Sequence, residues 1–302
     1  MESTNPSSRI EAGRFNPPLS AHIGAYLTLV RVPNCLMIGL AVIVGETIAL
    51  GSLPPLSNAL FGFLTASLLL AGTMVLNDIQ DIQIDRVNTP NRPLPSGKIG
   101  VREAYALSLV LSSLAIIFSA FLGVFTLLTA LVALALMAYY NTRGKKTGLL
   151  GNAVVSFNVA LPFFFGGLAV DNLRPLLFIF FLLAFLANMA REIAKGIADI
   201  AGDSAKGVRT IAVAIGTSSA ARMTAALFAI AVLLSFTAPL FDHKVSPFYY
   251  PGVAAADLGF LYSSYRLIRD QTPKTVRAVK TQVLFWMLLG LVGFLMGGSP
   301  IL

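Results

Sequence analysis

Apolar residues run through this chain in long stretches separated by short polar breaks. About 20 apolar residues let a helix cross the hydrocarbon core of a bilayer. Nine such segments are read here, with approximate cores at 23–51, 56–77, 102–121, 124–140, 150–170, 174–195, 219–239, 246–265 and 280–298. No water reaches that core, so backbone groups must pair within each segment, and the segments are predicted to be helices. The third and fourth are joined by little more than FLGVF, a tight turn, and the fifth carries Pro162, where a kink is expected. Residues 1–20 are polar, without the apolar centre of a signal peptide, and are expected to form a tail. Residues 21–302 are expected to form one all-α, polytopic membrane domain, a bundle of nine transmembrane helices.

Composition agrees: 56% of residues are hydrophobic and 12% charged, against about a quarter charged in soluble domains. The polar breaks also sort the charges. Placing the tail, 78–101, 141–149, 191–218 and 266–279 on one side, with flanking helix ends, puts 20 of the 22 Lys and Arg residues there; only Arg174 and Lys244 fall opposite. By the positive-inside rule that side is expected to be cytoplasmic, with the N-terminus inside and the C-terminus outside a cell membrane. The net charge of +8 is then explained by topology and anionic membrane lipids, without nucleic acid. Cys35, the single cysteine, excludes an internal disulfide and a cysteine-based metal site, and reads as a small buried residue.

Positive-inside topology requires no carboxylates, yet they cluster in the two longest cytoplasmic breaks. In NDIQDIQID, a continuous helix would place Asn77, Asp78, Asp81 and Asp85 within one arc of about 100°. Like charges so placed destabilise a helix unless a cation lies between them. A hard divalent ion meets that need, taking one or two carboxylates together with phosphate oxygens. Arg86, Arg92 and Lys98 follow in a loop braced by Pro90, Pro93 and Pro95, and Arg92 is suited to bidentate phosphate contacts. In REIAKGIADIAGDSAKGVRT, Glu192, Lys195, Asp199 and Asp203 would share a second helical face, with Lys206 and Arg209 beyond it. The plainer reading is an amphipathic loop helix with pairs such as Lys195 with Asp199. Two such clusters instead suggest the halves of one diphosphate clamp. A transporter would place its polar groups near the midplane between repeats; here they gather at one surface.

These motifs resemble the UbiA-type superfamily of intramembrane prenyltransferases. NDIQDIQID is similar to its NDxxDxxxD motif, Asp199 and Asp203 to its DxxxD motif, and NRPLPSG is typical of the stretch between them. The resemblance implies a bundle around a central cavity, capped by cytoplasmic loop helices. A polyprenyl diphosphate donor would bind between the motifs through Mg²⁺, two ions in all, its tail leaving toward lipid. It implies Asn77, Asp81 and Asp85 at one metal and Asp199 and Asp203 at the other. Asp78 is a weaker ligand candidate. Asp81, Asp85, Asp199 and Asp203 would serve catalysis, and Arg92 with Lys145 or Lys146 would hold the diphosphate. Ionisation of the allylic C–O bond needs leaving-group neutralisation and a dry site. Tyr139 and Tyr140 are placed to face the cation or to anchor the interface.

The second motif and TGLLGN, from Thr147 to Asn152, most resemble the subfamily that moves a geranylgeranyl group onto the hydroxyl of geranylgeranylglyceryl phosphate, an archaeal ether-lipid precursor. A lipid phosphate acceptor would explain the extra cations Lys195, Lys206 and Arg209. Gly196 stands where an acidic residue is expected. An aromatic acceptor such as 4-hydroxybenzoate is the alternative. RVPNCLM places Arg31 and Asn34 where the family's acceptor pocket is lined, or where an interfacial Arg and a capping Asn would sit. Glu46 and Asp257 are left without a role.

Overall fold

The computed structural model describes residues 19–205, 208–242 and 245–298. Its regular elements are helices: α1 (Leu19–Val30), α2 (Val32–Leu50), α3 (Leu56–Gln80), α4 (Ile82–Asn88), α5 (Val101–Leu122), α6 (Val124–Thr142), α7 (Leu149–Ala169), α8 (Pro175–Ala198), α9 (Ile200–Ala205), α10 (Ile211–Ile215), α11 (Thr217–Ser235), α12 (Ala238–Phe241), α13 (Tyr249–Arg269) and α14 (Pro273–Gly298). Eight of them are long and apolar enough to span a bilayer: α2, α3, α5, α6, α7, α8, α11 and α14. The remaining expected segment, 246–265, coincides with α13. That helix is 21 residues long but carries Asp257, Arg266 and Arg269. The expected tail, residues 1–20, falls almost wholly outside the described residues.

The expected first segment is broken. Arg31 adopts left-handed backbone angles (φ 57°, ψ 55°), and α2 restarts with Pro33 in its first turn. Proline fits there because the first turn's N–H groups have no partner within the helix. The expected FLGVF turn is realised by Gly123 alone, at φ 132°, a value that side-chain-bearing residues rarely adopt. It lets α5 fold directly back into α6. Pro162 lies inside α7, which is one helix from Leu149 to Ala169.

Helices meet where side chains are small, as expected in lipid, which offers no hydrophobic drive between helices. A methyl at Gly166 would lie 2.5 Å from the Val42 carbonyl, so α7 and α2 touch backbone to backbone. Gly252 and Gly293 do the same for α13 and α14. The Ser108 hydroxyl donates to the Gly72 carbonyl at 2.8 Å, joining α5 to α3. α8 is the most enclosed helix, while α5 turns Leu109, Val110 and Phe121 outward. A large exposed apolar face of this kind fits lipid and not water.

Opposite the acidic motifs, the bundle is closed by stacked rings. Phe180 and Phe294 lie face to face with centroids 4.0 Å apart, Tyr249 stacks on Phe180 at 5.9 Å, and Phe163 meets Phe294 edge-on at 5.8 Å. The Tyr249 hydroxyl, buried here, donates to the Ser235 carbonyl at 2.9 Å, as a buried phenol requires.

Candidate active site

Both acidic motifs sit where a helix breaks. α3 ends at Gln80; Asp81 has φ −89° and ψ 1°, and α4 begins at Ile82. α8 ends at Ala198, Asp199 has φ −102° and ψ 5°, and α9 begins at Ile200. The single continuous arc expected of each motif is therefore interrupted, at Asp81 in the first and at Asp199 in the second; beyond the breaks Asp85 is buried and Asp203 half-buried.

Their side chains open on one cavity of about 1110 Å³ between α2, α3, α6, α7, α8, α13 and α14. Asn77, Asp81 and Asp85 line one wall, and Asp199 and Asp203 another. Arg31, Asn34, Arg92, Tyr140, Lys145, Lys146 and Lys195 also line it. Asp78 does not line it. Its carboxylate is buried, accepting from Arg31 Nη2 at 2.6 Å and lying 3.7 Å from Arg92 Nη1. Arg209 and Tyr139 are exposed and outside the wall, and Lys206 lies outside the described residues. The Lys195–Asp199 pair suggested by spacing is not formed: Lys195 pairs with Glu192 at 3.2 Å, which also takes Arg191 at 3.1 Å.

The loop after α4 holds Arg92 through its apolar residues. Leu94 and Ile99 are buried against Leu29, Val75 and Ile79. Gly97 makes the turn at φ 73°. Arg92 Nη1 then donates to Asp85 Oδ2 at 2.7 Å, and the Thr89 hydroxyl to Asp85 Oδ1 at 3.0 Å. Lys145, in a 3₁₀ turn at Gly144–Lys146, donates to Asp81 Oδ2 at 2.7 Å; Asn77 Nδ2 donates to the same oxygen at 3.1 Å. Burial holds the Lys145 ammonium below the usual lysine range, against the hydrogen bond and charge of Asp81. Each cation here is poised over a carboxylate, an arrangement that an entering anion and its counter-cation would compete with. Among the described residues no three acidic, histidine or cysteine side chains converge on one point. The oxygens of Asn77, Asp81, Asp85, Asp199 and Asp203 nonetheless offer a hard-donor set that could take a divalent ion shared with a ligand's phosphate oxygens.

Toward the aromatic plug the cavity becomes apolar, with Phe163, Leu291 and Phe294 in its wall. An apolar groove of about 90 Å³ between α2, α3, α6 and α7 shares Leu70, Met74, Met137 and Val159 with it. Several lining residues escaped the reading of the sequence: Arg191, Asn141, Asn188, Arg277 and Lys280. Arg277 was assigned to the loop 266–279 and Lys280 to the very start of the ninth segment, but α14 starts at Pro273 and carries both on one helix. Spacing offers a signal in hindsight: Arg277, Lys280, Leu284, Met287, Leu291 and Phe294 follow a three-and-four rhythm. Asp257 lines the apolar end and accepts from the Ser235 hydroxyl at 2.7 Å. Glu46 is fully buried, with neither oxygen partnered among the described residues. At Gly196 an added Cβ would meet Thr210 at an ordinary 3.5 Å, leaving room for a side chain where an acidic one was expected.

The model of the UbiA prenyltransferase family matches residues 38–290, which include both motifs and most of the cavity wall. The chain belongs to the UbiA prenyltransferase family. It is therefore a prenyl-transferring enzyme and an integral membrane protein. Among UbiA-family relatives, the digeranylgeranylglyceryl phosphate synthase of Saccharolobus solfataricus is 35% identical over 279 residues, 91% of this chain and 97% of that one. The Methanopyrus kandleri protein of the same name is 36% identical over 273 residues, 90% and 98% of the two chains. A solved digeranylgeranylglyceryl phosphate synthase superposes with TM-score 0.73 at 30% identity, covering 92% of this chain and 99% of that one. A UbiA homologue from Archaeoglobus fulgidus, bound to GPP and Mg²⁺, shares the fold at TM-score 0.63 and 19% identity, covering 89% and 99%.

Proposed function

We propose that this UbiA-family enzyme transfers a geranylgeranyl group from geranylgeranyl diphosphate to the hydroxyl of geranylgeranylglyceryl phosphate, making a phospholipid precursor with two ether-linked isoprenoid chains. The observation that carries the reading is the opening of both acidic motifs, with their attendant cations, on one cavity that turns apolar with depth. The acceptor rests on relatives of that name at 32–36% identity over about nine-tenths of the chain.

The donor diphosphate enters between Asn77, Asp81 and Asp85 on one wall and Asp199 and Asp203 on the other. Mg²⁺, held jointly by these oxygens and the diphosphate, neutralises the leaving group. The donor set is all oxygen, as Mg²⁺ prefers, and a protein-only trio is unnecessary when phosphate completes the shell. Arg92 and Lys145, displaced from Asp85 and Asp81, turn their donors to diphosphate oxygens. Asp78 acts behind the wall, fixing Arg31 and Arg92. The allylic C–O bond breaks with its electron pair leaving on the diphosphate. The acceptor oxygen then bonds to the allylic carbon and loses its proton, giving the ether, diphosphate and H⁺. Tyr140 and the apolar wall keep water from the cation. The groove between α2, α3, α6 and α7 gives the donor's chain a route toward lipid.

The reading places residues 21–302 in one domain with the N-terminus and both motifs on the cytoplasmic side, and the C-terminus outside. Charge asymmetry supports this orientation. Metal stripping tests the chemistry. With EDTA, release of diphosphate from geranylgeranyl diphosphate in the presence of acceptor should cease, and excess Mg²⁺ should restore it one-for-one with product. Undiminished turnover in EDTA would contradict the reading.

A further inference from the structure

α14 presents one stripe to the cavity: Arg277 and Lys280 at its cytoplasmic end, then Leu284, Met287, Leu291 and Phe294. The spacing keeps all six on one face. The stripe is amphipathic along its length and not around its girth. Two cations stand at the mouth, followed by an apolar track ending at the stacked rings of Phe294 and Phe180. From Lys280 to Phe294 is fourteen residues, about 21 Å at the helical rise.

Neither cation makes an ion pair with a described residue. No carboxylate among the described residues lies within ion-pairing distance of Arg277 or Lys280. By contrast Arg31, Arg92, Lys145, Arg191 and Lys195 are all paired. Lys280 is half-buried and within electrostatic range of Asp199 and Glu192 as well as of Lys195 and Arg191, so it stands among both carboxylates and cations without a direct ion pair to a described residue. Arg191 adds a buried Nε with no hydrogen-bond partner among the described residues. A positive-inside bias accounts for Arg277, which is exposed at the mouth; it does not account for the half-buried Lys280 in the cavity wall, within electrostatic range of a guanidinium whose Nε lacks a partner among the described residues. A bound anion does.

On the opposite side, Lys145 and Arg92 already stand over Asp81 and Asp85. The α14 cations are therefore a second anion site, with an apolar track beneath for a chain attached to that anion. We propose that this stripe seats the acceptor: its phosphate on Arg277 and Lys280, with Arg191 contributing, and its isoprenoid chain along Leu284, Met287 and Leu291 to the aromatic floor. The assignment rests on the lipid-phosphate acceptor of the proposed function and names its site. It moves the acceptor phosphate from the loop after α9 to α14. It also separates the two prenyl chains, the donor's toward the α2/α3/α6/α7 groove and the acceptor's along α14.

The test is steady-state kinetics of Arg277→Ala, Lys280→Ala and Lys280→Arg, with geranylgeranylglyceryl phosphate or its dephosphorylated counterpart geranylgeranylglycerol as acceptor. Losing a charge-assisted contact should raise the phosphorylated acceptor's KM about tenfold for each alanine variant. Donor KM should change little, and Lys280→Arg should recover most of the loss. With geranylgeranylglycerol, the alanine variants and wild type should behave alike, which a general structural defect would not produce. Leu291→Trp, which fills the track, should penalise geranylgeranylglyceryl phosphate more than a farnesyl analogue. An equal rise in donor KM, or unchanged acceptor KM in both alanine variants, would overturn the assignment. A wild-type enzyme that ignores geranylgeranylglyceryl phosphate would instead refute the function on which it rests.

Discussion

Asp78 is part of the acidic motif by sequence, yet its position is that of a buried anchor. Its side chain is 5% exposed, whereas Arg31 and Arg92, which flank it, are 31% and 38% exposed. The pair is therefore unequal, and so should be the cost of breaking it from each end. Arg31→Ala removes the 2.6 Å partner and leaves a buried carboxylate facing only Arg92 at 3.7 Å. Stranding a buried charge costs about 3–5 kcal/mol; the remaining arginine and the partial exposure of both cations reduce this to about 2–3 kcal/mol. Asp78→Asn keeps the shape and an acceptor oxygen, and leaves two arginines that can reach water, costing about 1 kcal/mol. Equilibrium unfolding in mixed detergent micelles, followed by the fluorescence of Trp286, the single tryptophan, measures both. Arg31→Ala should be the less stable variant. The reasoning is refuted if Asp78→Asn proves as destabilising as Arg31→Ala, or more so.

Asp81→Ala and Asp203→Ala should each reduce turnover by at least about 10²-fold, the scale of losing one preorganised charge-stabilising group, while unfolding like wild type; product formation and the same unfolding assay check both halves. Gly166→Ala should destabilise by about 1–3 kcal/mol, because the added methyl meets Val42 and Glu46 backbone atoms that cannot rotate away; an unfolding curve that superposes on wild type would contradict the close α2–α7 packing. In a Cys35→Ser background, cysteines at the exposed positions Ser96 and Ser52 should be labelled from opposite sides, Ser96 from the cytoplasm. Labelling of both from one side would contradict the orientation.

The spans were legible because burial in lipid demands an unbroken apolar run, which composition displays directly. α13 was legible as a helix, although Asp257 and its two arginines make it more polar than its neighbours and leave it outside the eight helices that qualify as spans. The breaks were not. Arg31 in a left-handed conformation has no sequence signature beyond Pro33 two residues on, and nothing in IQDIQ or ADIAG announces that the helix pauses at Asp81 or Asp199. A wheel drawn through either motif therefore picks out residues that line the cavity, Asn77, Asp81, Asp85, Asp199 and Asp203, while assuming a continuous helix that the structure does not have. The wheel equates Asp78 with Asp81, whereas the packing of α1 and α2 buries one and opens the other. The cations of the wall were only partly legible for a related reason. Lys206 and Arg209 follow the motif in sequence; Lys206 lies outside the described residues and Arg209 outside the wall, while Arg277 and Lys280 reach the cavity through tertiary packing of α14 about 70 residues later.

The central claim is that one cavity joins a prenyl diphosphate to a phosphate-bearing lipid. Its most direct test is acceptor choice: purified protein in lipid vesicles, geranylgeranyl diphosphate, Mg²⁺, and geranylgeranylglyceryl phosphate or 4-hydroxybenzoate, with products identified by mass. The account predicts digeranylgeranylglyceryl phosphate and diphosphate from the first mixture and no prenylated product from the second. Prenylated 4-hydroxybenzoate, with geranylgeranylglyceryl phosphate left unchanged, would contradict it.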